Sequence, residues 1–174
     1  MAFFLINCSQ DSSPIQPNLQ NLDDDFLIYS LIIDSLLFVP GREWIVFLDS
    51  TETWTFPPQD TAQFPNLQQN TIDNYVSCNQ ISSPFRINID KSLKSDFISW
   101  KKWETLGGWD GFYQNYPNSH GLIGFSKIGY NETENQAMVY VSTNIYYLAG
   151  TGYIIILGRG ENWQIDQIEI IWIS

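Results

Sequence analysis

The chain has one histidine, two cysteines and only eight lysines and arginines against nineteen carboxylates. Each scarcity removes a class of function. Eight cations beside a formal charge of -11 cannot build a phosphate-neutralising surface, so nucleic acid is not an expected partner. The same balance disfavours docking on strongly anionic lipid. Two cysteines, Cys8 and Cys78, make no disulfide framework, and their spacing suggests no zinc site. With a single histidine and no acidic ladder of the EF-hand kind, neither a metal nor a cofactor is expected. Long apolar runs are also missing. The best, 26–39, is too short for a transmembrane helix and contains Asp34. No G-x-S-x-G elbow, internal repeat or low-complexity tract occurs.

What is present is a core-forming composition. Hydrophobic residues make up 44% of the 174 and aromatics 16%, enough for one domain with a substantial interior. Residues 1–21 read differently. A short apolar start ends in Leu5-Ile6-Asn7-Cys8 and turns abruptly polar, and 9–21 is rich in Ser, Gln, Pro and Asn. One reading is the end of a bacterial lipoprotein signal, with a longer native N-terminus and Cys8 as the lipid-bearing residue. Asn7 in place of a small residue, and the lack of a basic n-region, speak against it. The other reading is a disordered tail with a chance apolar start. Cell-envelope localisation follows from the first and cytoplasmic localisation from the second. Membrane association is expected only through Cys8.

Residues 22–174 are expected to form a single α+β domain. Leu22-Asp23-Asp24-Asp25-Phe26 opens a helix, its aspartates facing the positive end of the macrodipole. The helix is apolar around much of its girth and ends at Pro40-Gly41. The run 44–48 reads as a buried strand. A loop over 50–70 with a helical turn near 60–64 follows, then a helix over 71–80 and a short strand over 86–90. Ser92 or Ser95 is expected to cap a helix covering Phe97, Trp100 and Trp103. Trp109, Phe112, Tyr113 and Tyr116 then repeat at i, i+3, i+4, i+7, one face of a short helix that Pro117 stops. A tight turn is expected over 118–121.

The last third predicts strands over 122–130, 136–147, 153–158 and 162–173, joined by short polar or glycine-rich links. That pattern is an antiparallel meander, with the helices packed on one of its faces. In the final strand Trp163 and Ile165 are out of phase with Ile168, Ile170 and Trp172. One bulge residue near Asp166-Gln167 would place all five on one buried face.

Candidate chemistry is sparse. Ser119-His120 raises a nucleophile-base pair, for which Asp49 at a strand end, or Asp110 or Glu104, would be the third member. Adjacent residues in one loop seldom point at each other, and turn chemistry accounts for both. The aromatics offer a binding surface at Trp109, Tyr113 and Tyr116, able to stack on sugars or fill a partner's groove; a helical aromatic stripe also serves as core. The paired glycines at 150/152 and 158/160 sit at hairpin positions and read as turns.

The stretch Gly108-Trp109-x-x-Phe112-Tyr113-x-x-Tyr116-Pro117-x-Ser119-x-Gly121, then Phe125-Ser126-x-x-Gly129-Tyr130-Asn131, resembles a group of uncharacterised bacterial proteins, some with export or lipoprotein signals. Ala137-x-Val139-Tyr140-Val141, Gly150-x-Gly152-Tyr153 and the segment ending Asp49-x-Thr51 are similar too. The likeness is thin over 52–95 and absent before 22. Relatives often carry cysteines just before the G-x-G turn, where Ile145 and Ala149 stand here, so no thiol role carries over. The resemblance implies a fold and export, and no activity. The expectation is a non-enzymatic, envelope-associated binding or structural module; the alternative is a hydrolase working between Ser119-His120 and the Asp49 strand end.

Overall fold

A computed structural model describes residues 19–37, 41–54, 63–87 and 94–174. The readings on Cys8 and on 1–18, the stop at Pro40, the turn at 60–62, the strand portion 88–90 and the Ser92 cap lie outside those residues. The order is α1 (Leu19–Ile32) with a five-residue π-helical continuation (Ile33–Leu37), β1 (Trp44–Leu48), α2 (Gln69–Cys78), β2 (Lys94–Ile98), α3 (Trp100–Thr105), α4 (Gly108–Asn115), β3 (Ser119–Phe125), β4 (Gly129–Tyr130), β5 (Gln136–Tyr146), β6 (Ala149–Arg159) and β7 (Trp163–Ile173). The strands form one seven-stranded sheet ordered β2-β1-β3-β5-β6-β7, with β4 also on β5.

The fold is α+β, and the C-terminal meander β5-β6-β7 is antiparallel as expected. The sheet as a whole is mixed. β1 runs parallel to both β2 and β3. The helices are not confined to one face. Ile45 and Phe47 join Ile123, Phe125, Val139 and Ile155 under α1. Val46, Leu48 and Leu122 point the other way, into Trp109, Phe112 and Tyr116 of α4. Further along that second face, Met138, Tyr140, Ile154 and Ile156 meet Tyr75 of α2. A strand apolar at both parities needs cover on both sides, and Trp44-Ile45-Val46-Phe47-Leu48 is such a strand.

Two elements differ from expectation in kind. Residues 94–98 are strand, paired residue for residue with β1 (Phe47 against Phe97), and the helix begins only after Ser99. Ser99, not Ser95, caps it, its hydroxyl accepting the Lys102 N–H at 3.0 Å. Arg86 and Ile87 are outside any strand. The strand expected over 122–130 starts earlier, at Ser119, and is split. Ser126 substitutes its side chain for a ladder acceptor, its Oγ receiving the Tyr140 N–H at 2.9 Å, and pairing resumes at Gly129.

β7 carries the expected bulge at Asp166, between the pairs Ile156–Gln167 and Leu157–Ile165. A second irregularity at Ile171 separates Gly152–Trp172 from Tyr153–Ile170. The five residues therefore do not share a buried face. Trp163 and Ile165 pack beneath α1, Ile168 and Ile170 are exposed on the same side, and Trp172 lies on the opposite face.

α1 is tied down by adjacent aspartates. Asp24 meets Arg159 of β6 at 2.6 Å, and Asp25 accepts from Tyr130 of β4 at 2.6 Å. Because the helix begins at Leu19, these residues sit past the first turn, where the macrodipole has faded. They act as tethers. On the other side α2 packs so closely on β4 that a Cβ on Gly129 would stand 2.4 Å from the Tyr75 Cα. Only glycine admits that approach.

Candidate functional site

Ser119 and Asp49 are placed at opposite ends of β1. Ser119 pairs with Trp44, while Asp49 follows Leu48. Five residues of parallel strand separate them, about 16 Å at roughly 3.3 Å per residue. Ser119 is buried, and its Oγ accepts the Gly121 N–H at 3.4 Å. His120 is half-buried; burial lowers its pKa, and the positive charge of Arg42 lowers it further. Asp49 contributes backbone to the fold: its carbonyl accepts Phe85 N–H at 2.9 Å and Arg86 Nη1 at 3.1 Å. Asp110 and Glu104 are exposed on α4 and α3. The serine, the histidine and Asp49 are not brought together.

The candidate aromatic binders divide. Trp109 and Tyr116 are buried in the core between α4 and the sheet, and the Tyr116 hydroxyl donates to Asp96 Oδ2 at 2.6 Å. Tyr113 is half-buried, stacked on Trp109, and donates to the Ile145 carbonyl at 2.6 Å. As a helical stripe they serve first as core.

A different place has the concavity of a binding site. A cleft of about 1110 Å³ opens between α1 and α2, with Ser83–Ile87 along one wall and residues 127–134 along another. Its framework is heavily hydrogen-bonded. Tyr29 donates to the Ser126 carbonyl at 2.9 Å. Asn79 clamps residue 127 from both directions, accepting its N–H at 2.8 Å and donating to its carbonyl at 3.1 Å. Asn74 Oδ1 accepts the Tyr130 N–H at 3.0 Å, while the Tyr130 hydroxyl reaches across to Asp25. Lys127 Nζ donates to the Ile81 carbonyl at 2.6 Å, and the Arg86 guanidinium lies over the Phe97 ring at 5.0 Å. Walls fixed this way need little reordering when something binds.

The electrostatics follow from partial burial. Asp25 is held above the usual carboxylate range by burial; the Tyr130 hydroxyl partly offsets this and the Asp24 charge adds to it. Burial pushes the Cys78 thiol up to about 11 despite the charge of Lys127. Near neutral pH it is therefore a thiol, the poorly nucleophilic form. Four carboxylates (Asp25, Asp73, Glu132, Glu134) face two cations, Lys127 and Arg86. Asn70 Oδ1 is buried with no hydrogen-bond partner among the described residues. Among the described residues no three His, Cys, Asp or Glu side chains are grouped to hold a metal ion. The arrangement can accept hydrogen bonds and attract positive charge.

Sequence reading missed this cleft because its walls come from four separated segments. The only local signal was the aspartate triplet at 23–25, which has an equally good reading as helix-start chemistry. No protein-family model matches the chain, and no curated protein or solved structure matches it.

Proposed function

We propose that this protein is a binding module that holds a small polar ligand, without covalent chemistry, in the cleft between α1 and α2. The carrying observation is the pre-built cleft itself, where the Asp25–Tyr130 bond and the Asn74 and Asn79 clamps converge. The surplus of carboxylates on its walls favours ligands rich in hydrogen-bond donors, amines and polyols before anions. An NMR screen of small amines, polyols and carboxylates on the ¹⁵N-labelled chain tests this. Saturable shifts should centre on the amides of Asn74, Lys127 and Tyr130, and Asp25→Asn should weaken them. Shifts centred elsewhere, or none with any class, overturn the reading.

Hydrolysis at Ser119 and His120 is the competing reading. An esterase and glycosidase screen decides it, with turnover lost in both Ser119→Ala and His120→Ala as the result that favours the enzyme. For the cellular setting we favour the envelope, on the apolar-to-polar switch at Cys8 and the resemblance to exported bacterial proteins. Metabolic palmitate labelling that Cys8→Ala abolishes is the expected result; absence of label in the wild type sinks it.

A further inference from the structure

Away from the cleft, the β5–β6 hairpin ends in a surface of unusual composition. Tyr147 is 61% exposed and Leu148 82%, at the tip of two eleven-residue strands whose pairing is interrupted once, at Ile145. Ring contacts run inward and across from this tip: Tyr147 to Tyr146 at 5.0 Å, Tyr146 to Trp109 at 6.4 Å, Trp109 to Trp103 at 5.6 Å, and Trp103 to Trp100 at 5.9 Å. The strip is thus continuous, anchored at its middle by the buried Trp109 and exposed at both ends. The Tyr113 hydroxyl bonds the Ile145 carbonyl just before the tip and tethers it to α4.

We propose that this strip docks the protein on the lipid–water interface of a membrane, with Tyr147 and Leu148 entering first. Three observations select that occupant. Neighbouring exposed rings are crossed, 82° between Tyr146 and Tyr147 and 80° between Trp100 and Trp103, so they form no extended flat platform for a run of sugar faces. Trp, Tyr and an aliphatic tip form the mixture that settles at the headgroup level, ring bodies in hydrocarbon and polar edges in water. Charge supplies the third. Lys101 and Lys102 are exposed beside Trp100, two of the eight cations in the chain. Glu104 and Asp110 on the same helices bring this end close to neutral, whereas the whole chain carries -11. The long lysine side chains can carry their heads to lipid phosphates while their stems lie against the rings. Two copies meeting through this strip would instead bring two such acidic bodies together.

Sedimentation with phosphatidylcholine vesicles tests the proposal, using the full chain as Cys8→Ser so that no acyl chain contributes. The expected result is saturable binding that falls on the order of tenfold, one decade of partition, in Tyr147→Ser/Leu148→Asp. The melting temperature should stay unchanged. Trp100→Ser, on a different element, should weaken binding as well and guards against a hairpin-specific folding defect. Protein left in the supernatant at every lipid concentration overturns the proposal, as does equal sedimentation of wild type and variants. Light scattering that finds a dimer in the wild type and a monomer in the double variant would assign the strip to a second copy and also overturn it.

Discussion

The Tyr130 hydroxyl donates to Asp25 Oδ1 at 2.6 Å, joining β4 to α1 across 105 residues of sequence. The bond closes one end of the cleft and fixes the rotation of α1 over the sheet. Hydrogen bonds to a charged partner contribute about 1.5–3 kcal/mol. Tyr130→Phe should therefore lower the urea-unfolding free energy by roughly that amount. In Asp25→Asn the effect of Tyr130→Phe should shrink, and a double-mutant cycle measures the difference.

Glu52 carries the clearest pH dependence. Its carboxyl lies against the α-carbon of Gly124, with Oε2 buried and without a hydrogen-bond partner among the described residues. Burial raises its pKa from the ordinary 4.5, the nearby Ser142 hydroxyl only partly offsetting this. The folded state then binds more protons than the unfolded one between the two pKa values. The stability contributed is fully present below about pH 4.5 and is lost as pH rises through the folded value. Asp25, also raised, has the same sign. Lowering the pH from 7 toward 4.5 should raise the melting temperature through these two carboxyls, with His120, its pKa lowered by burial, opposing them below its ordinary 6.5. Glu52→Gln should remove the Glu52 part of the slope while stabilising the protein at pH 7. A calorimetric series over this range reads both effects.

Gly152 exists where it does because of Trp172. A Cβ there would stand 2.0 Å from the Trp172 Nε1, which donates to the Tyr140 hydroxyl at 3.0 Å. Gly152→Ala should displace the indole and destabilise by about 1–3 kcal/mol, the usual range for overpacking. Gly160→Ala, with nothing within 4 Å of its Cβ, should stay within about 0.5 kcal/mol of wild type. Denaturation midpoints compare the two, and a red shift of indole emission in Gly152→Ala alone reports the displaced ring.

The Cys78 thiol, pushed up to about 11, should alkylate slowly at neutral pH. The rate of iodoacetamide labelling at this position should climb through pH 9 and 10 rather than level off near the ordinary thiol value. Mass spectrometry of the Cys78 peptide separates it from Cys8.

Periodicity exposed the elements whose character is local. The run 44–48, the stripe from Trp109 to Tyr116, the antiparallel order of the C-terminal strands and the bulge at Asp166 follow from spacing alone, whereas Gly150 and Gly152, expected in a turn, are paired residues inside β6. Phe97, Trp100 and Trp103 also have helical spacing, yet Phe97 is in β2, because pairing with β1 outweighs a three-residue coincidence. Trp172 lies on the opposite face from the one its spacing predicts, because nothing in Ile170-Ile171-Trp172 marks a second irregularity; its indole lies over Gly150 and Gly152. Sheet cover on both sides was implicit in the unbroken apolar run of β1. The cleft was invisible because Asp25, Asn74, Asn79 and Tyr130 meet only after the chain has folded.

The parallel placement of β1 has a consequence for how the chain is made. Both of its neighbours, β2 and β3, lie later in the sequence. During synthesis Ile45–Leu48 must wait for one edge partner until residues 94–98 have left the ribosome, and for the other until residues beyond 119 have done so. The apolar side of α1 waits longer still, because its floor includes β5 and β6. The meander can zip locally, but the N-terminal half cannot close before it does. Refolding should therefore be limited by these distant pairings, and the nascent chain is most prone to aggregation just before the C-terminal strands emerge.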